Sequence, residues 1–315
     1  MSTAFIFPGQ GSQTVGMGSD LYEASPAARA IFERADAVLG FSVTRLCFEG
    51  PEEKLTATEN AQPALLTAAL AALAALAESS EVAGFVAARA RFVAGHSLGE
   101  YTALTAAGAL GFEDALRLVR LRGELMAQAH EGTMAAVIGL DEGPLEAVCR
   151  EASSAGGLVV VANYNAPGQL VISGAADAVE RAGALAKEAG ARRIIPLRVS
   201  AAFHSPLMRQ ATAGLAPALV AAPLADARVP VVANTSARPL MAAADLLAEL
   251  EAQATAPVRW IDSVRHMAAA GVETFVEIGP GAVLTGLVRR IVPGARVVNV
   301  GDVPGALAYL AAQHP

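Results

Sequence analysis

Arg91-Phe92-Val93-Ala94-Gly95-His96-Ser97-Leu98-Gly99-Glu100 is the stretch on which the fold turns. Its first four residues make the short apolar run of a buried strand. Residues 95–99 spell G-x-S-x-G, and a helical pattern runs on over about 100–107. Strand, glycine-bounded turn and helix in that order predict a parallel α/β sheet. The turn must be sharp to lift the serine hydroxyl clear of the sheet. Only glycine, lacking a Cβ, lets the flanking backbone pack that closely. The helix that follows aims its first amides at the hydroxyl, where they can stabilise an oxyanion. Ser97 is therefore the candidate nucleophile.

Outward from this turn, Ala4-Phe5-Ile6-Phe7 is a second buried strand, stopped by Pro8-Gly9. Helical patterns follow over 27–39 and 64–77. Between about 133 and 200 the rhythm changes to strand 134–140, helix 143–155, strands 158–162 and 170–173, helix 176–189 and strand 193–199. This β-α-β-β-α-β order is the ferredoxin-like pattern. The α/β alternation then resumes with strands at 230–234 and 274–278 and helices at 243–252 and 282–291. The expected organisation is a discontinuous large domain, 1–132 and 201–315, carrying a compact inserted subdomain, 133–200. The cleft between them is the natural ligand site.

Composition supports a folded enzyme-sized chain. Its 315 residues are 54% hydrophobic and 17% charged, which excludes disorder for the bulk of it and allows one large α/β domain with an insertion. Much of the apolar fraction is alanine, and aromatics are only 5%, so the core should be helix-rich and closely spaced. The net charge is −7, with no lysine or arginine run that could track phosphates, so no nucleic-acid partner is expected. Cys47 and Cys149 lie in no CxxC spacing. They exclude a disulfide framework and a cysteine-ligated zinc, and fit a reducing cytosol. The first ten residues, MSTAFIFPGQ, lack the basic and apolar regions of a signal peptide, so a cytoplasmic location is expected. Residues 60–77 carry no charge, yet they are mostly alanine and include Pro63. A buried helix is expected there, with no association with a membrane.

A serine nucleophile needs a base. Of the five histidines, His96 adjoins the serine and should point elsewhere if the turn is tight. His314 is next to the last residue, and His130 and His266 fall in or beside helical patterns. His204 follows a strand where a loop begins, and leads on position. Other chemistries find no support. There is no G-x-x-x-x-G-K, Gly9–Thr14 fails G-x-G-x-x-G at its last position, and His130-Glu131 lacks the second histidine of H-E-x-x-H.

Pro8-Gly9-Gln10-Gly11-Ser12-Gln13, Gly95-His96-Ser97-Leu98-Gly99-Glu100-Tyr101, Phe203-His204-Ser205 and Glu277-Ile278-Gly279-Pro280-Gly281 occur in this order. Together with Asn163-Tyr164-Asn165-Ala166-Pro167-Gly168-Gln169 they closely resemble the malonyl-CoA:acyl-carrier-protein transacylases. These are acyltransferases of fatty-acid and polyketide synthesis, and the resemblance spans about residues 4–300. It implies an α/β-hydrolase-like large domain with a ferredoxin-like insertion. It also implies malonyl transfer from malonyl-CoA to the phosphopantetheine thiol of a carrier protein, with no metal or bound cofactor. Carried onto matching positions, Ser97 bears the acyl ester and His204 is its base. The backbone carbonyl of Gln253 takes the place of a triad acid, and the amides of Gln10 and Leu98 form the oxyanion hole.

On the same resemblance, Arg122 grips the malonyl carboxylate. A planar guanidinium suits that task through two parallel hydrogen bonds. From spacing alone, Arg122 would read as one more solvated arginine beside Arg117 and Arg120. Phe203 resembles the variant associated with malonyl over methylmalonyl selection, and core packing is its alternative. The implied carrier is acidic, so docking requires local basic charge. Arg192, Arg193, Arg209, Arg289 and Arg290 are candidates that could rim one cleft. Two other functions share these residues: an acyl-thioester hydrolase, which the costly unpaired Arg122 disfavours, and a non-catalytic carrier-binding module.

Overall fold

The computed structural model describes residues 2–78, 80–199 and 201–312. His314 lies outside the described residues. In chain order the strands are β1 (Thr3–Phe7), β2 (Phe92–Gly95), β3 (Thr133–Ile138), β4 (Val159–Ala166), β5 (Gln169–Gly174), β6 (Arg193–Pro196), β7 (Val231–Val232), β8 (Pro239–Leu240), β9 (Thr274–Ile278) and β10 (Arg296–Val300).

They form two sheets. The larger has the order β10-β9-β1-β2-β7-β8, parallel throughout except for the β7–β8 pair at one edge. The smaller is antiparallel, with the order β4-β5-β3-β6 and helices Glu142–Ser154 and Ala176–Glu188 between its strands. That is the ferredoxin-like arrangement carried by an α/β sheet.

The strand β1 shows how the parallel sheet is held. Its side chains alternate between faces. Phe5 and Phe7 enter one apolar cluster, with the helix Thr58–Ala77 at its centre. Ala4 and Ile6 enter a second, which also takes Val137, Leu145 and Ile172 from the smaller unit. The smaller sheet therefore shares its core with one face of the larger. Backbone hydrogen bonds from Tyr164 N to Val258 O and from Val258 N to Ala162 O tie β4 to the segment that leads away from Gln253.

Thr58–Ala77 has the length and mean hydropathy of a membrane span, but 89% of its apolar window is buried inside the protein. It begins six residues before the expected start at residue 64. A proline nitrogen cannot donate to the carbonyl four residues back, which would ordinarily leave the Glu59 carbonyl free at Pro63. Here the Glu59 carbonyl accepts instead from Arg120 Nη1 at 3.0 Å, so the helix passes through the proline.

Three expected strands are shorter, the one at 134–140 ending at Ile138. The run at 193–199 is strand only to Pro196, with one further backbone bond from Leu197 N to Met134 O at 3.0 Å before the chain leaves the sheet. The run at 230–234 pairs only over Val231–Val232, because Asn234 is drawn into a different set of bonds.

Candidate active site

The G-x-S-x-G turn is as tight as its glycines require. A Cβ at Gly95 would lie 1.9 Å from the backbone carbonyl of Gly99, and one at Gly99 would lie 2.2 Å from Phe7 O. Ser97 sits at the top in the left-handed region, with φ 52°. Non-glycine residues rarely adopt that region, and the surrounding bonds fix it here. Asn234 Oδ1 accepts from Ser97 N at 2.7 Å, and Asn234 Nδ2 donates to Gly95 O at 2.7 Å. A Cβ at Gly9 would meet His96 O at 2.4 Å, so the Pro8-Gly9-Gln10 turn lies directly against the serine turn. Among the described residues neither the Gln10 amide nor the Leu98 amide has an acceptor.

The serine hydroxyl is shared. His204 Nε2 lies 2.7 Å from Ser97 Oγ, and Arg122 Nη2 donates to the same oxygen at 3.1 Å. His204 Nδ1 faces two carbonyl oxygens, Gln253 O at 3.0 Å and Ala256 O at 3.2 Å. Carbonyls only accept, so Nδ1 carries the proton and Nε2 presents its lone pair to the hydroxyl. Burial and the nearby Arg122 charge push the imidazole down to about 3, which keeps it neutral. The arrangement is a neutral base on a strained serine, able to activate it for attack on an acyl carbonyl.

Arg122 is 1% exposed, although it projects from the amphipathic helix Phe112–Ala127 beside the solvent-facing Arg117. Its Nη1 donates to Gln62 Oε1 at 2.7 Å and its Nη2 to Gln253 Oε1 at 3.1 Å. Among the described residues no carboxylate forms an ion pair with it. A buried cation held only by neutral groups is costly, and an arriving carboxylate would relieve that cost.

Gln10, Ser97, Leu98, Arg122, Phe203 and His204 line one cleft of about 310 Å³. Gln253 stands behind it. His96 turns away from the serine, bonding Asn165 Oδ1 at 2.8 Å and standing edge-on to Trp260. His266 packs edge-on against Phe92, far from the serine's hydrogen bonds. Arg192, Arg193, Arg209, Arg289 and Arg290 are exposed, but none of them lines the cleft; besides the buried Arg122, the arginine that does so is the exposed Arg198. Among the described residues no group of three His, Cys, Asp or Glu side chains is placed to hold a metal ion.

Three residues that hold the site carry no role in the sequence motifs: Gln62, which accepts from Arg122 Nη1, Asn234, which brackets the serine turn, and Glu100, which accepts from Gln253 Nε2. Gln62 is a polar residue within the otherwise apolar 60–77 run, and Glu100 stands inside the serine motif. Those were their available signals.

The sequence pattern of the acyl transferase domain matches residues 4–305. The chain belongs to that family. Among its relatives, a malonyl CoA-acyl carrier protein transacylase of Bacillus subtilis (strain 168) is 49% identical over 302 residues, 95% of this chain and 93% of that protein. The crystal structure of the acyl-carrier-protein-S-malonyltransferase from Bartonella henselae superposes on this acyl transferase with TM-score 0.94 at 43% identity, over 99% of each chain. A malonyl-transacylase in complex with a type II PKS acyl-carrier protein superposes with TM-score 0.93 at 40% identity, over 99% of this chain and 100% of its own.

Proposed function

We propose that this acyl transferase moves a malonyl group from malonyl-CoA to the phosphopantetheine thiol of an acyl carrier protein, through an ester on Ser97. One observation carries the reading: a single hydroxyl oxygen is bonded both to a neutral imidazole and to a buried guanidinium that has no carboxylate partner among the described residues.

In the first half-reaction His204 Nε2 takes the Ser97 proton and Oγ attacks the thioester carbonyl. The oxyanion faces the Gln10 and Leu98 amides, each such donor being worth about 3 kcal/mol to the transition state. The C–S bond breaks, and the CoA sulfur leaves with the proton from His204. In the second, His204 takes the proton of the phosphopantetheine thiol and the sulfur attacks the ester. The C–O bond breaks, and Ser97 recovers its proton. Arg122 pairs with the malonyl carboxylate throughout, and the Gln253 carbonyl keeps the imidazole in the working tautomer. No step is routed through a metal or bound cofactor.

Phe203 stands beside the base and would crowd a substituent on the α-carbon of the acyl group. For docking, the exposed Arg192, Arg193, Arg209, Arg289 and Arg290 supply the local positive charge that an acidic carrier needs. Residues 133–200 act as the subdomain that closes one side of the cleft, against a large domain made from the rest. The buried, unbridged Cys47 and Cys149 suit a cytoplasmic enzyme.

Intact mass after brief incubation with malonyl-CoA tests the reading. A malonyl adduct is expected on the wild type, absent in Ser97→Ala and discharged by added carrier protein. An adduct that decays equally fast without carrier would mean a hydrolase. An adduct formed only from a neutral acyl thioester would remove Arg122 from its role.

A further inference from the structure

Behind the cleft, Glu100 is 1% exposed and touches neither the serine hydroxyl nor the histidine. Both of its oxygens are occupied by N–H donors. Oε1 accepts from the Asn234 backbone amide at 2.9 Å, and Oε2 accepts from Gln253 Nε2 at 2.6 Å. Gln253 Nε2 spends its other hydrogen on Ser97 O at 2.7 Å. With both amide hydrogens committed on that side, Gln253 presents its oxygen to Arg122 Nη2, and the same nitrogen reaches Ser97 Oγ. A chain of bonds thus runs from Glu100 through one amide to the guanidinium beside the nucleophile.

From this chain we infer that Glu100 is a positioning residue for acyl-group selection, setting Arg122 beside Ser97 by fixing which end of the Gln253 amide faces it. The inference rests on the proposed malonyl transfer. An acid is required at this position for a reason that hydrogen-bond counting makes plain. Two N–H groups converge on residue 100, so it must offer two acceptors. A glutamine has one acceptor and one donor, and in either orientation it sets an N–H against an N–H. The clash falls on the Asn234 amide or on Gln253, and turning Gln253 to escape it would set an N–H against Arg122.

Burial, and after it the neighbouring Glu249, raise the Glu100 carboxyl well above the usual carboxylate range, against smaller downward pulls from the Asn234 amide, Gln253 and the Arg122 charge. The geometry is complete for the carboxylate. Glu249 is occupied elsewhere, accepting from Thr235 N at 2.8 Å and from the Thr235 hydroxyl.

The test compares labelling of Ser97 by malonyl-CoA and by acetyl-CoA, followed by intact mass, in the wild type, Glu100→Gln and Gln253→Leu. Acetyl lacks the carboxylate that Arg122 would grip, so a general loss of the site moves both rates and a loss of Arg122 placement moves one. The expected result is a fall of about tenfold in the malonyl-to-acetyl ratio of kcat/KM in both variants, carried mainly by KM for malonyl-CoA. Equal losses for the two thioesters would make Glu100 a support of the serine turn alone and overturn the inference. So would values of kcat/KM left unchanged for both. Should Glu100→Gln fail to fold, Gln253→Leu still tests the link through which Glu100 acts, because it keeps the backbone carbonyl on His204 and removes only the amide, and an unchanged ratio there overturns the inference. A wild type that malonyl-CoA does not label would instead sink the proposed function, and this inference with it.

Discussion

His204 and Arg122 lie on either side of one hydroxyl, and each alters the other's chemistry. Burial is the larger cause that holds the imidazole down to about 3, and the guanidinium is the second. Against an ordinary value of 6.5 in the unfolded chain, the unfolded state binds the proton first. Burying this ring neutral therefore contributes stability that is fully present above 6.5 and lost as pH falls towards 3. Arg122→Gln removes the second cause and leaves the first, so the ring should titrate at higher pH than in the wild type yet still below 6.5. Side-chain NMR of the histidines across acid pH measures this, and identical titrations would show that the guanidinium does not act on the ring. Phe203, 7% exposed, packs with Met126, Met134 and Met208 while also lining the cleft. Phe203→Ala should raise the kcat/KM ratio of methylmalonyl-CoA to malonyl-CoA by roughly tenfold, since one methyl group is worth about 1–3 kcal/mol of discrimination. An unchanged ratio leaves Phe203 with packing alone. Ser97 and His204 were legible in the chain because strand–turn–helix syntax and loop position mark them locally. Glu100, Asn234 and Gln62 were not, because their partners are tertiary: Asn234 reaches Ser97 across 137 positions, a pairing that no local pattern encodes.

At the scale of elements, glycine means opposite things at the end of a strand and inside a helix. Gly95, at the end of β2, faces the Gly99 carbonyl at a distance no Cβ can share, and Gly99 faces Phe7 O in the same way. Gly95→Ala must push β2 away from the following helix, so it should destabilise the fold by about 3 kcal/mol or more and misplace Ser97. Gly286 lies inside the helix Val283–Ile291 with nothing within 4 Å of an added Cβ. There alanine should stabilise by about 0.5–1 kcal/mol through helix propensity alone. Thermal unfolding of the two variants beside the wild type checks both signs, and a neutral Gly95→Ala would mean that the turn can relax. The same contrast explains how far the fold could be read. Regular alternation of strand and helix was visible wherever apolar runs ended at Gly or Pro, as in β1, β2 and β9. The reading failed where a distant residue overrode local syntax. Arg120 satisfies the carbonyl left free by Pro63, and neither the two-residue β8 nor β10, whose apolar residues are interrupted by Asn299, stands out as an apolar run. Glu277 is a further case. The Glu-Ile-Gly-Pro-Gly motif was recognised as a signature, yet its carboxylate accepts from Leu284 N and Thr285 N, holding the start of the Val283–Ile291 helix.

For the molecule as a whole, a net charge of −7 opposes an acidic carrier at long range, so docking depends on where the arginines stand. The five candidates are not equivalent. Arg290 donates to Pro167 O at 2.7 Å and to the Gln169 side chain, bracing the β4–β5 turn. Reversing its charge would therefore disturb the smaller sheet as well as any docking surface. Arg289 is exposed on the same helix turn and no bond or ion pair is seen for it among the described residues, so it reports on docking alone. Arg289→Glu should raise KM for carrier protein several-fold at low ionic strength, with the effect shrinking as added salt shortens the screening length below about 8 Å. KM for malonyl-CoA separates docking from a damaged cleft. CoA carries its own phosphates, so a general loss of positive potential at the cleft mouth would raise both constants together. A rise confined to carrier protein places Arg289 on the docking face. A parallel rise in both constants would shift attention to the cleft itself, where Arg198 is the exposed cation already lining the wall.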